Sequence, residues 1–379
     1  MRVGVDGREL SAGVRTGIAR YLVEVLRAAS SAGCECLVYV EPGTRTEPVD
    51  RLPGVTARPI PTCWTPWWDQ VLLPRRLGRD GVAVFLSPYY KAPLVASCPV
   101  VITIHDLYFI GYPGRRRPVY DAVVSRLATL YARRAAAVIA DSDWSRRALV
   151  QRLGVEGTKV RTIPVTLAAA FAPRPLSEVV RGRYAIEGSY ILFVGNFLPH
   201  KNLPRLVRAY ATLPAPLRDR HRLVLAGADL AHRPPLERLV AETGLADRVV
   251  FPGPIDDDDL PPLYSGASLF VLPSLVEGFG LPALEAMACG APVVTSNRGA
   301  LPEVVADAAL TVDPESETAL AAAMERVLRE PDLGERLSRR GLERARDFGL
   351  ERTAGRVVDL LREVSAGWRG PSRRAPGPR

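Results

Sequence analysis

The feature that most restricts this chain is a rhythm. Short, continuous apolar runs alternate with longer segments of helical spacing along almost its whole length. VAVFLS (82–87) and the start of PVVITIHD (99–106) show no apolar/polar alternation. Strands read that way when both faces of their sheet are covered, as in parallel α/β sheets. In the first half such runs fall at 2–6, 36–40, 55–60, 82–87, 99–106, 135–142 and 159–166. From 167 to 187 the chain turns Pro-rich and irregular, with Pro173 and Pro175, which reads as a linker. The rhythm then restarts at 190–196, 222–227, 248–253, 268–273, 292–296 and 309–312. Strand and helix alternating in both halves predict an α/β protein of two doubly wound, Rossmann-like domains. A chain of 379 residues is long for one core and comfortable for two.

Composition narrows the class. Hydrophobic content of 47% and charged content of 24% are those of a soluble globular protein. No apolar run reaches the roughly 18 residues that suggest a membrane span. The N-terminus carries Asp6 and Glu9 where a signal peptide needs its apolar region, so a cytoplasmic location is expected. Five cysteines form no disulfide or metal pattern. The net charge is +9, and all but three of the 50 basic residues are arginine. The triplet 115–117 and the pairs 133–134 and 146–147 suit a peripheral contact with a membrane's inner face or an acidic acceptor, although scattered solvated arginines are the simpler account. No basic helix with interleaved aromatics and no zinc spacing appears, so no nucleic-acid partner is expected.

The most informative local stretch is PSLVEGFGLPALEAMACGAPVVTSN, 273–297. An apolar run ends at Pro273, a loop holds Gly278 and Gly280, and residues 281–289 have helix-forming composition with Pro282 in the first turn. Gly290 suits the position just past the helix, and PVVTS begins the next strand. Strand, glycine loop and helix leave backbone N–H groups at a helix N-terminus, which is a ready anion site. Glu277 lies before the helix and Glu285 one turn inside it. A phosphate on the N–H groups would leave both carboxylates for sugar hydroxyls. Either glutamate alone reads as a solvated acid. Together Glu277, Gly278, Phe279, Gly280, Pro282, Glu285, Ala286, Gly290 and Pro292 resemble the E-x7-E signature of retaining glycosyltransferases of the GT-B fold, family 4, which includes many mannosyl- and glucosyltransferases.

Other segments extend the resemblance. RVGVD, the Gly-rich loop SAGVRTG with Gly13 and Gly17, and an amphipathic helix from Ile18 form a βα unit without the G-x-G-x-x-G fingerprint. In the family this loop approaches the donor diphosphate. His105 and Asp106 end a strand, where open α/β sheets bind ligands. The family's histidine contacts the donor sugar, and Asp106 would orient it. VGNFLPHKNL (194–203) places Lys201 after a strand and a turn. The family has arginine and lysine on the diphosphate. Here Asn196 stands at the arginine position; a subset of the family carries a basic residue directly before the lysine, a place that His200 occupies here, and whether it stands in for the arginine or is merely solvated stays open. Two acidic patterns are set aside. Asp141–Asp143 forms a D-x-D, but Asp143-Trp144-Ser145 reads as a capped helix start, and Asp256–Asp259 sits where another helix begins. In 65–74 (TPWWDQVLLP), Trp67 and Trp68 read as core.

The resemblance implies a GT-B architecture, two domains facing a central cleft. It gives an acceptor-binding domain at 1–170, a linker at 171–187 and a nucleotide-sugar-binding domain at 188–349. A helix at 350–366 crosses back to the first domain, and a Pro/Gly/Arg-rich tail, 367–379, is expected to be disordered. His105, Lys201 and Glu277 are the expected catalytic residues. Gly13, Gly17, Asn196, His200, Gly278, Phe279, Gly280, Leu281 and Glu285 are expected to bind the donor, with Glu285 on the ribose. The reaction implied moves a hexose from a donor such as GDP-mannose or UDP-glucose to a hydroxyl acceptor, with retention, no cofactor and no metal. A sugar-nucleotide epimerase, a phosphorylase or an inactive donor-binding subunit remain alternatives. Acceptor recognition falls to the loops at 43–76 and 107–120, where no motif speaks.

Overall fold

The computed structural model describes residues 1–12, 16–61, 64–105, 118–227 and 231–368. Gly13, Cys63, Asp106, the arginine triplet at 115–117 and nearly all of the tail lie outside the described residues. The chain divides into two compact units. One holds the described residues up to Thr166 and from Leu350 onward; the other spans Leu167–Gly349.

The first unit is built on a seven-stranded parallel sheet. Its strands are β1 (Arg2–Asp6), β2 (Glu35–Val40), β3 (Val55–Pro59), β4 (Val84–Ser87), β5 (Val100–Ile104), β6 (Ala137–Ala140) and β7 (Val160–Thr162), in the order β3-β2-β1-β4-β5-β6-β7. The strand order reverses between β1 and β4. The final helix, Ala354–Gly367, packs on the Gly17–Ser31 helix and on β4. Arg362 donates to the Ala32 carbonyl at 3.0 Å, and the buried hydroxyls of Thr166 and Thr353 lie 2.7 Å apart.

The second unit carries β8 (Ser189–Val194), β9 (His221–Ala226), β10 (Val249–Gly253), β11 (Leu269–Leu272), β12 (Val293–Ser296) and β13 (Leu310–Val312). They form a parallel sheet in the order β10-β9-β8-β11-β12-β13, reversing between β8 and β11. Each reversal opens a crevice at the carboxyl ends of two adjacent strands, where such sheets take ligands. At the end of β9 the backbones crowd: a Cβ on Gly227 would lie 1.8 Å from the Gly195 carbonyl oxygen.

Two local readings need correction. The Pro-rich stretch from 167 is not irregular throughout, since Ser177 caps a short helix, Glu178–Arg183, by accepting from Val180 N. The capped helix start at Asp143-Trp144-Ser145 is present, with Ser142 as its cap, accepting from Ser145 N at 3.0 Å. Residues 65–79 run as a helical turn, a π-helical turn at Trp68–Leu72 and a helix from Leu73. Trp68 is completely buried and Trp67 is 48% exposed, so only one of the two tryptophans is core.

Candidate active site

In the second unit the site grows from the paired ends of β8 and β11. Beyond β8, the turn Pro199–Lys201 closes on Asn202, which takes a left-handed backbone (φ 62°). The Asn202 amide donates to the carbonyls of Pro273 (3.0 Å) and Pro314 (2.7 Å), tying this turn to the end of β11. Leu275 N adds a bond to the His200 carbonyl at 2.8 Å. The stitching brings Lys201 Nζ to 2.6 Å from Glu277 Oε1, with both side chains almost buried. Buried Ser274 donates to the same oxygen at 2.6 Å.

The charge states follow from these contacts. Burial pushes the Glu277 carboxyl up, but the charges of Lys201 and His200 and the two hydrogen bonds outweigh it, and the group titrates below its ordinary range. Burial, and then the Lys201 charge, push His200 down to about 4 despite Glu277. Near pH 7 its imidazole is therefore neutral, a hydrogen-bonding group rather than a cation. Asn196 follows β8 and is exposed.

After Glu277 the loop turns into the Leu281–Ala288 helix at Gly280, whose φ is 104°. A Cβ there would lie 2.4 Å from Leu301 Cδ2, so both conformation and space call for glycine. No side chain caps this helix; Pro282, in its first turn, has no N–H, and Ala283 N bonds the Gly280 carbonyl at 3.0 Å, which leaves the N–H of Leu281 to face an anion. Phe279 turns its ring away into the core against Phe348, at 5.7 Å between centroids. Only its backbone is left to meet a donor. Glu285 is buried, and its Oε2 accepts from the Tyr264 hydroxyl at 2.9 Å.

In the first unit the register of two strands makes the second cluster. Ile104 of β5 pairs with Ala140 of β6, so the next residues, His105 and Asp141, leave the sheet side by side. His105 Nδ1 lies 2.7 Å from Asp141 Oδ2, and the edge of Tyr21 packs on the imidazole at 4.8 Å. Asp141, set aside in the sequence as half of a D-x-D, thus holds the His105 imidazole, while Asp106, the partner named in the sequence, lies outside the described residues. Asp143, the other half of the D-x-D, accepts from Thr162 Oγ1 at 2.7 Å, so the two carboxylates serve different partners. Gly17 opens its helix behind Thr16, which caps Ala19 N and donates to Glu9 at 2.5 Å. Glu9 also accepts from Tyr89 at 2.6 Å. Arg8 forks onto Asp6, pairs with Asp69 at 2.7 Å and stacks over Trp68. None of these partners carries a local motif. The strand-end location of Asp6, Ser87 and Asp141 is the signal that would have found their neighbourhood.

With this geometry in view, comparisons with known proteins are decisive. The family model for group 1 glycosyl transferases matches residues 183–344, and the model for Glycosyltransferase Family 4 matches 15–166. The chain belongs to the family 4 glycosyltransferases. Residues of this glycosyltransferase are 34% identical to O-antigen chain mannosyltransferase B of Escherichia coli over 59% of its length and 60% of the relative's. They are 30% identical to a D-inositol 3-phosphate glycosyltransferase of Acidothermus cellulolyticus over 92% of this chain and 86% of that one. The serotype-specific mannosyltransferase WbdA of Escherichia coli is 33% identical, and the match spans 34% of its length. Among solved structures, sucrose-phosphate synthase from Thermosynechococcus elongatus superposes with a TM-score of 0.79 at 24% identity, covering 97% of this chain and all (100%) of that one. Anabaena HepE in complex with UDP-glucose gives 0.78 at 19% identity, covering 96% and 100%. At such identities these structures speak for the fold, which is GT-B.

Proposed function

We propose that this glycosyltransferase moves a hexose-type sugar from a nucleotide-diphosphate donor to a hydroxyl acceptor, with retention of configuration and without a metal. The observation that carries the reading is the Lys201–Glu277 pair at the strand-order reversal of the second unit, beside an uncapped helix N-terminus. Negative charge grows on the diphosphate as the glycosidic bond breaks. A preorganised ammonium and helix N–H groups stabilise that charge more in the transition state than in the ground state. Lys201 and the amides around Gly278–Leu281 are assigned that role. Glu277 takes hydroxyls of the donor sugar and Glu285 the ribose. His105, held by Asp141, contacts the donor sugar. In the front-face reaction of this family the leaving phosphate helps deprotonate the acceptor, so no carboxylate nucleophile is required.

The functions of the relatives, an O-antigen chain mannosyltransferase and a D-inositol 3-phosphate glycosyltransferase, and a neighbour in complex with UDP-glucose support GDP-mannose or UDP-glucose as donor classes. The acceptor is a hydroxyl of a saccharide, glycolipid or small metabolite. Among the described residues no helix is long and apolar enough to cross a membrane. Exposed Val123, Leu127 and Leu130 recur at helical spacing on the Pro118–Arg134 helix, near Arg133 and Arg134, which supports peripheral contact with a membrane surface.

A thermal-shift screen of nucleotide sugars tests the proposal. Binding at one hundred times Kd stabilises by about 2.7 kcal/mol, so a true donor stands apart from the rest. If no nucleotide sugar shifts the melting temperature at millimolar concentration, the reading is wrong.

A further inference from the structure

We infer that Ser274 is a positioning residue for recognition of the donor sugar, acting by dividing the two oxygens of Glu277 between protein and substrate. The inference rests on the donor-site reading above and deepens it. Ser274 and Lys201 both donate to Oε1, each at 2.6 Å. A carboxylate oxygen has two lone-pair directions in its plane, and two short donors fill them. Oε2 is the oxygen left to accept from a sugar hydroxyl.

The backbone of Glu277 is seated as closely as its side chain. The turn after β12 brings Gly299 against it with φ 67°, and a Cβ on Gly299 would lie 2.7 Å from the Glu277 carbonyl oxygen and 2.8 Å from its nitrogen. The next residue, Ala300, donates its N–H to that carbonyl at 3.1 Å. With the backbone fixed on one side and Oε1 held on the other, the carboxylate cannot rotate to exchange its oxygens. Lys201 alone would not achieve this, because its flexible stem can follow a turning carboxylate. Ser274, fully buried at the end of β11, cannot. A carboxylate locked in one orientation accepts from a hydroxyl in one direction. Ser274 thereby sharpens which sugar epimer the site accepts, without touching the nucleotide.

The test is a double-mutant cycle of Ser274→Ala and Glu277→Gln, read with GDP-mannose and UDP-glucose as donors and with GDP and UDP as the bare diphosphates. Ser274→Ala should lower kcat/KM for the working donor by about tenfold to a hundredfold, as expected for losing a hydrogen bond to a charged group. It should leave the Kd for the bare diphosphate within threefold of wild type, which also shows the site still folded. In the Glu277→Gln background the same substitution should cost less than threefold, because the group through which it acts is gone. Equal losses in both backgrounds, or a matching loss of bare-diphosphate binding, would make Ser274 a structural residue and overturn the inference alone. Wild-type protein that binds none of the four nucleotides would overturn the donor-site reading and this inference with it.

Discussion

The two clusters differ in how the chain assembles them. Lys201 and Glu277 are bound by stitches between two loops, at Asn202, Leu275 and Ser274, and meet as a charged pair under almost complete burial. His105 and Asp141 meet because two neighbouring strands are in register. One cluster is therefore held by a network of polar bonds and the other by the sheet itself. The first should be sensitive to loss of a single charge, in both rate and stability. The second should tolerate substitution structurally and respond in chemistry.

The largest effect that separates them is expected at Lys201. Lys201→Ala should lower kcat by about two to four orders of magnitude, the scale set by removing one preorganised electrostatic group. It should also destabilise the second unit by about 3–5 kcal/mol, since Glu277 is left as a buried, uncompensated charge. Lys201→Arg should restore only part of either loss, because the planar fork does not occupy the place of a compact ammonium. Steady-state kinetics on protein checked by circular dichroism decide the point, and a rate within threefold of wild type would remove Lys201 from the phosphate site.

Next comes Asp141→Asn. The substitution keeps the shape of the pair but offers an amide where the imidazole Nδ1–H needs an acceptor, which favours the wrong tautomer. A loss of about tenfold to a hundredfold in kcat is expected with little change in melting temperature. A large drop in melting temperature at unchanged rate would reverse the contrast between the two clusters.

The smallest effect on rate belongs to His200. As a neutral imidazole it cannot carry the charge of the absent arginine, so His200→Gln should change kcat by less than about fivefold, well below the loss of a preorganised charge. Its mark is on stability. The unfolded chain binds a proton near pH 6.5, whereas the folded group resists protonation down to about pH 4. Between those values the unfolded state binds more protons, so stability falls as pH drops through this window and is regained above it. The contribution is up to about 3 kcal/mol. Melting curves from pH 7 to pH 4 should be flatter for His200→Gln than for wild type, and parallel curves would refute the neutral assignment.

Much of the fold was legible because its strands are buried on both faces. Continuous apolar runs such as VVITI at 100–104 cannot be hidden by a motif or mistaken for a half-exposed strand. The candidate residues of the second unit were legible for a different reason. Glu277, Gly280 and Glu285 lie within one strand–loop–helix segment, where spacing along the chain is spacing in the structure. Asp141 was not legible, because its link to His105 spans 36 residues and depends on the register of β5 and β6. Asn202 was missed because a left-handed asparagine after a lysine looks like any turn until its two carbonyl partners are seen. Trp67 and Trp68 are consecutive, so a helix points them in directions about 100° apart, and the pattern did not say which one faces the core; the structure buries Trp68 and leaves Trp67 exposed.

The central claim is that the second unit grips the two ends of a sugar nucleotide with two different glutamates. Calorimetry with GDP and UDP alone tests it most directly, in Glu277→Gln and Glu285→Gln proteins. Glu285→Gln should weaken the preferred diphosphate by about tenfold or more, the cost of a lost charge-assisted hydrogen bond. Glu277→Gln should leave its affinity within about threefold of wild type, a difference of less than 1 kcal/mol, while turnover of the corresponding nucleotide sugar collapses. Equal losses of diphosphate affinity in both variants would contradict the account.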